Sequence, residues 1–306
     1  MTQFLAKRLV SALIVAFGVS LLAFSMSHLT PGDPVSIMLG ERASAESIAR
    51  LTQQLGLDQP LPVQYWNFLT RALRGDLGTS IRSGQPVLGE IATRFGPTLE
   101  LTLAAMVVAA ALGIGLGVLA AVSRAPWLES AIMTFALLGI SVPTFWSGLL
   151  FITFFALTLN WFPVTGSGGL AGLVLPAVTL ALPAAAVLAR MTRSSLLEVL
   201  SQDFIRTARS KGLVERTVIF KHALRNAFIP ILTIMGLQFG GLLAGSVIVE
   251  SVFARPGLGR FAVGAILSRD FPQIQGIVLL AGLSYVLINM IVDFLYGVLD
   301  PRIQVR

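Results

Sequence analysis

RTARSKGLVERTVIFKHALRNAF, residues 206–228, crowds six basic residues around a single glycine, Gly212, between two of the most apolar segments of a 306-residue chain. Hydrophobic residues fill 55% of the sequence and charged ones 12%, whereas a soluble domain is about one quarter charged. The chain is therefore read as a membrane protein. A net charge of +7 and a pI near 10.7 would suit nucleic acid only if base-reading or stacking residues stood beside a basic patch. Here the basic residues sit mostly in loops between apolar runs, so membrane topology accounts for them and no nucleic-acid partner is expected. Cysteine is absent, which excludes disulfides, thiolate metal sites and cysteine nucleophiles together.

Working outward from that stretch, six segments are apolar enough to cross a hydrocarbon core of roughly 30 Å, which takes about 20 helical residues. They are residues 9–29, 98–122, 130–159, 170–191, 229–253 and 275–299. The second holds Gly113, Gly115 and Gly117, the third is interrupted by Pro143, and the fourth carries Pro176 and Pro183. The fifth opens on Pro230, which suits a first helical turn because the missing N–H would be unpaired there anyway. The first follows Lys7 and Arg8 and has an apolar core too long for a cleavable signal peptide, with only a weak Ser25, Ser27 site after it, so a retained helix is expected.

Arginine and lysine counts orient the spans. Residues 190–225 hold eight basic and three acidic residues (Glu198, Asp203, Glu215) and are placed in the cytoplasm, while residues 160–169 hold no charge and are placed outside. Both termini then lie inside, in agreement with Lys7, Arg8, Arg302 and Arg306. The last outer loop, with Arg255, Arg260 and Arg269, departs from the rule. Residues 30–97, six basic and six acidic, form a long outer loop of the kind translocated regardless of charge. Two helices are expected in it. One covers residues 45–55, with Ile48, Leu51, Gln54 and Leu55 near one face, and one covers 63–73, with Tyr65, Trp66 and Phe68. They would cap the outer ends of the spans or form part of a docking surface for an external partner. Three regions result: a membrane helix (1–29), an outer loop (30–97) and a core of five spans (98–306) with a cytoplasmic loop at 191–228.

Several chemistries are missing. None of the three lysines, Lys7, Lys211 and Lys221, is followed by Ser or Thr, so there is no phosphate-binding P-loop. The two histidines, His28 and His222, fall on opposite sides of the membrane, which argues against a metal site and against a catalytic base in mid-span. Glu100 and Glu250 lie at outer span ends and Asp293 near an inner one, where they would reach the interface or satisfy a neighbour. Carboxylates at the midplane, the usual mark of ion-driven transport, are absent from this reading. Pro143, Pro176, Pro183 and the run Gly236, Gly240, Gly241, Gly245 serve either tight packing or the bends of a gated pathway. Pro143, Pro183, Gln238, Gly241 and Gly245 are the candidate pathway positions.

The cytoplasmic loop is patterned. Leu196, Leu200, Phe204 and Ala208 recur at i+4, with Leu197 and Ile205 beside them, giving one helix with a narrow apolar stripe that Gly212 ends. Arg206, Arg209 and Lys211 complement the dipole at its C-terminus. A second helix is expected over residues 214–226. Charge retention alone needs no glycine-broken helix pair, so the loop is read as a knob that another protein grips.

That loop resembles the EAA loop of ABC-importer permeases, whose pattern is E-A-A, three residues, G, nine residues, then I-x-L-P. Ala208, Gly212 and Leu224 match it, while Arg206, His222 and Arg225 depart from its Glu, Ile and Pro. The departures fit the dipeptide and oligopeptide branch, whose loop resembles D-[FY]-x-R-T-A-R-x-K-G followed by H-x-L-R-N-A, as residues 203–212 and 222–227 read here. Further tags of that branch are PGDP (31–34), LGLDQPL (55–61), GDLG (75–78), GISVP (139–143) and PGLGR (256–260). Glutathione, dipeptide and nickel importers share them.

The resemblance implies an all-α polytopic membrane protein of the type I ABC importer permease fold, in a bacterial inner membrane. It implies a second, homologous permease subunit, two ATPase subunits that bind ATP and Mg²⁺, and an extracytoplasmic substrate-binding protein. No cofactor is expected in this chain and no bond chemistry. Asp203, Arg206, Thr207, Ala208, Arg209, Lys211, Gly212, His222, Leu224 and Arg225 would couple to the ATPases, with Asp203 as helix cap or salt-bridge partner. An ion-gradient-driven transporter is the remote alternative.

Overall fold

The computed structural model describes residues 2–29, 35 and 44–299. The PGDP tag, Arg302, Arg306 and the side chains of Lys7, His28, Leu51, Gln54, Leu55 and Asp293 lie outside the described residues. Described residues form helices throughout, and the isolated bridge between Thr79 and Pro86 belongs to no strand. The helices are α1 (Thr2–Leu29), α2 (Ala45–Leu55), α3 (Leu61–Leu73), α4 (Val87–Val122), α5 (Pro126–Ser141) and α6 (Thr144–Thr158), then α7 (Leu170–Leu200), α8 (Asp203–Ser210), α9 (Glu215–Val252), α10 (Leu258–Leu267) and α11 (Phe271–Leu299).

Five helices are long and apolar enough to cross a membrane, and α5 with α6 makes a sixth span bent by 105° at Val142 and Pro143. Pro143 has no N–H to continue the ladder, and the residue before it is driven out of the helical region, so a break falls there. Nevertheless the bent pair crosses. Glu129 of α5 pairs with Arg193 near one end of α7, while Gly166, just past α6, lies against Pro176 near the other.

The chain forms two compact units. One comprises the chain up to Gly96 together with Arg260–Met290. In it α3 packs along α1: Ala23, Phe24, Phe68 and Leu279 form a core, and the Tyr65 ring meets Phe17 and Phe24 edge-on while its hydroxyl shares a 2.7 Å hydrogen bond with Ser20. Helix α2 is capped at both ends, by the Ser44 side chain accepting from the Ser47 N–H and by Gly56 in the left-handed conformation. Buried Asp270 pins the loop before α4, accepting from Ser80 Oγ at 2.6 Å and from the Arg82 N–H, and also caps α11 through the Gln273 N–H. Gln273 in turn donates to Glu90 at 2.7 Å, and Arg94 stacks over Phe261.

The second unit, Pro97–Gly259 with the chain from Ile291, is organised around α7. Buried residues run the length of this helix from Gly172 to Val199, and its most extensive partner is α9, followed by α5. Small residues set these contacts. A Cβ on Gly113 would come within 2.6 Å of Leu188, and one on Gly117 within 2.5 Å of Thr192, whereas Gly115 faces open space. Two of the three glycines are thus packing residues that let α4 touch α7.

Three boundaries differ from the expectation. Helix α4 starts at Val87 and carries Pro97 inside it rather than beginning beside it. The span beginning at Leu170 runs on to Leu200. The fifth does not open on Pro230: α9 starts at Glu215 and passes through a wide π turn, Val218–Ala223, into the span. Pro230 lies within it, withholding the N–H that the Asn226 carbonyl would accept. A proline signature placed the start too late because tertiary packing, with Ala223 and Ala227 buried, already holds the preceding residues in the helix.

Candidate functional site

Helix α7 ends at Leu200, Ser201 and Gln202 interrupt the helix, and α8 occupies Asp203–Ser210. The single apolar stripe expected across 196–208 is therefore divided between two helices, and the break shifts its phase. Leu196, Val199, Ile205 and Ala208 are buried, while Phe204, assigned to the stripe, is 40% exposed. Ile205 and Ala208 share one core cluster with Val218, Ile219 and Ala223 of the π turn. Gly212 follows α8 at φ +76°, which lets its N–H reach the Arg209 carbonyl (2.9 Å) and the Leu213 N–H reach that of Ala208. This is the left-handed helix stop expected of glycine. The expected separate helix over 214–226 is instead the first part of α9.

Arg209 makes a two-pronged contact with Glu215 across that turn, Nη2 to Oε1 at 2.6 Å and Nε to Oε2 at 3.2 Å. The hydrogen bond to Glu215 raises the guanidinium pKa above its ordinary value against a small opposing effect of burial. Asp203 is the first residue of α8 and its carboxylate lies 3.6 Å from Arg206. Gln202 occupies the N-cap position and makes no side-chain cap, with Asp203 following in the first turn. Arg206, Thr207 and Lys211 are exposed, His222 and Leu224 half-buried, and Arg225 exposed. The His222 carbonyl accepts from Asn226 Nδ2 at 2.7 Å. Four apolar side chains share this exposure, Phe204, Leu213, Val214 and Phe220. Sequence reasoning passed over them as a face, although their position around Gly212 was the available signal.

The pathway candidates are dispersed. Pro143 is exposed at the break between α5 and α6, and Pro183 is half-buried inside α7. Gln238 is half-buried on α9, Gly241 has nothing within 4 Å of a would-be Cβ, and Gly245 lies 3.2 Å by the same measure from Leu180 of α7. Gly245 is accordingly a contact with α7, while Gly241 faces open space.

Sequence reasoning left the outer end of this unit as helix-end carboxylates, and there the structure is most specific. Arg255 is buried and joins three segments: Nε donates to the Pro97 carbonyl (3.2 Å), Nη1 to the Gly166 carbonyl (2.6 Å) and Nη2 to Glu100 Oε2 (2.5 Å). Its charge is thus compensated within the protein, which explains one departure from the loop-charge rule. Glu250 is fully buried, accepting from Thr98 Oγ1 at 2.6 Å and from the Gly259 N–H at 2.7 Å, while Thr98 Oγ1 also accepts from the Leu258 N–H. A Cβ on Gly257 would overlap the Glu250 carboxylate and one on Gly259 would overlap the Val247 backbone, so the PGLGR tag is glycine-rich because its backbone folds closely onto α9 around Glu250.

Residues 113–305 match the family described as "Binding-protein-dependent transport system inner membrane component", and residues 1–102 match its N-terminal companion family. The chain belongs to this family. The permease is 47% identical to "Glutathione transport system permease protein GsiC" of Salmonella typhimurium and to that of Escherichia coli K12, over 306 residues and the full length of both chains. Among solved structures, the permease fold resembles the inward-facing MetNI methionine ABC transporter, with a TM-score of 0.60 at 20% identity over 69% of this chain and 96% of that one. It also resembles an amino acid ABC transporter crystallised with histidines, with a TM-score of 0.52 at 18% identity over 70% of this chain and 94% of that one. The permease accordingly has the all-helical type I importer fold and is a multi-pass inner-membrane subunit of an ABC importer.

Proposed function

We propose that this permease forms half of the translocation pathway of an ATP-driven importer of glutathione or closely related small peptides, beside a second homologous permease. The full-length likeness to glutathione permeases supports the substrate class. Two partner ATPase subunits bind ATP and Mg²⁺ and supply the energy, an external binding protein delivers the substrate, and this chain makes or breaks no bond itself. Both termini lie in the cytoplasm.

The observation that carries the reading is α8. Its Ile205 and Ala208 face is buried against the start of α9, while Asp203, Phe204, Arg206 and Lys211 remain exposed on the strongly basic side of the membrane. A short helix fixed on one side and charged on the other fits a groove on an ATPase subunit. Arg206, Thr207, Arg209 and Lys211 would contact that groove. Ala208, Gly212, His222, Leu224 and Arg225 would hold the loop in shape.

Replacing Gly212 with Val forces a β-branched residue into φ +76°. In the assembled transporter this is expected to separate ATP hydrolysis from uptake while the permease remains in the membrane at normal amount. Normal uptake in such a variant would refute the coupling role. Competition for uptake among glutathione, dipeptides and Ni²⁺ in a strain lacking the native permease tests the substrate, and preferential loss to Ni²⁺ would replace the peptide reading.

A further inference from the structure

Helix α3 does not stand above the membrane. Its Tyr65 hydroxyl bonds Ser20 of α1, and its ring reaches Phe17. The apolar span of α1 reaches at least from Arg8 to Met26, so at about 1.5 Å per residue Ser20 lies at least about 9 Å, and Phe17 at least about 13 Å, below the outer end of that span. A hydrocarbon leaflet is about 15 Å deep. The contact therefore falls at the depth of acyl chains.

The surface of α3 matches that depth. Tyr65, Phe68 and Ala72 turn toward α1 and the Ala23, Phe24, Leu279 core. Next to them on the helix, Val63, Trp66 and Leu73 are exposed, Trp66 by 64% and Leu73 by 79%. Polar side chains keep to the remaining edge. Gln64 donates to the Leu57 and Gln59 carbonyls, Asn67 donates to the Gln59 side chain, and Arg71 and Arg74 are exposed at the C-terminal end. Helix α1, against which α3 packs, itself exposes Leu13, Ile14, Phe17, Leu21 and Leu22, as a membrane-crossing helix does.

We propose that α3 is an interfacial helix embedded in the outer leaflet, with Trp66 and Leu73 among lipid acyl chains and Arg71 and Arg74 directed to lipid phosphates. Tryptophan at such a boundary and long cationic side chains reaching outward are what the interface favours. This inference rests on α1 crossing the membrane with its N-terminus inside and does not depend on the coupling role of α8.

Because the chain has no native cysteine, Trp66→Cys, Leu73→Cys and Asn67→Cys each give one spin-label site in the assembled transporter, with cysteine-free partner subunits, in phospholipid nanodiscs. Collision with oxygen is expected to exceed collision with a water-soluble nickel chelate several-fold at positions 66 and 73, and the order to reverse at 67. Dominant chelate access at 66 and 73 would place the helix in water. Exclusion of both reagents would mean that protein covers the stripe. Either result overturns the proposal, and Leu73→Cys at the end of the helix gives the reading if Trp66→Cys fails to assemble.

Discussion

Arg255 Nη2 donates to Glu100 Oε2 at 2.5 Å, and the same guanidinium holds the carbonyls of Pro97 and Gly166. The two partners are unequal: the arginine side chain is 7% exposed and the glutamate 54%. Arg255→Met strips donors from two backbone carbonyls and a carboxylate at once and is expected to cost about 3–5 kcal/mol, because breaking a buried pair leaves its polar remainder unpaired. Glu100→Gln keeps an acceptor at the surface, so its cost should stay under about 1.5 kcal/mol. Thermal unfolding of the two variants in detergent checks the asymmetry.

Gly257→Ala places a methyl group where the Glu250 carboxylate sits. Overpacking of this kind costs about 1–3 kcal/mol. Combining it with Glu250→Ala should recover part of that loss through relief of the overlap, though Thr98 and the Gly259 N–H then lose their acceptor. A double-mutant cycle on melting temperature measures the coupling, and strict additivity would contradict the contact.

Along α4, the three neighbouring glycines should respond differently. Alanine at Gly113 or Gly117 meets α7 at 2.6 Å or 2.5 Å and is expected to destabilise by about 1–3 kcal/mol. At Gly115, where nothing lies within 4 Å, alanine should be neutral or stabilise by up to about 1 kcal/mol through helix propensity. Comparing the three melting temperatures tests the packing register directly.

The Arg209 and Glu215 pair is roughly half exposed on each side, and such pairs contribute less than about 1 kcal/mol. Arg209→Ala should thus leave the melting temperature nearly unchanged, while uptake by the assembled transporter falls through loss of a contact charge. Glu215→Arg combined with Arg209→Glu restores the pair but not the charge pattern, so it should repair the turn without restoring uptake.

Reporter fusions at Gly166 and Lys211 are expected on opposite faces of the membrane. The pairing of Gly166 with Arg255, and of Glu129 with Arg193, joins only segments that loop charges assign to one side. Reporters on the same face would overturn the six-span topology.

How far the sequence could be read depended on whether a local signal had one structural meaning. The apolar spacing within 45–55 gave α2 its limits, and the structure shows Ser44 and Gly56 capping it at those two ends. Pro143 was readable as an interruption, and it is one, but a proline signature carries no angle, and the bend is 105°. Pro230 had two meanings, and the first-turn reading was the wrong one. Across Ser201 and Gln202 the apolar period happened to continue, which hid a helix break and put Phe204 on the wrong face. Arg255 and Glu250 were visible only as charges near span ends, because their partners lie as much as 158 positions away along the chain.

Helix α9, its π turn included, extends over 38 residues from Glu215, near Gly212, to Val252, just past Glu250. At about 1.5 Å per residue it is a rod of roughly 57 Å, so a tilt of about 5° around its middle swings each tip by about 2.5 Å in opposite directions. Moved as one body, it would displace the end beside Gly212 and the end whose Glu250 holds Thr98 and the Gly259 N–H in opposite directions, with no relay of intermediate side chains.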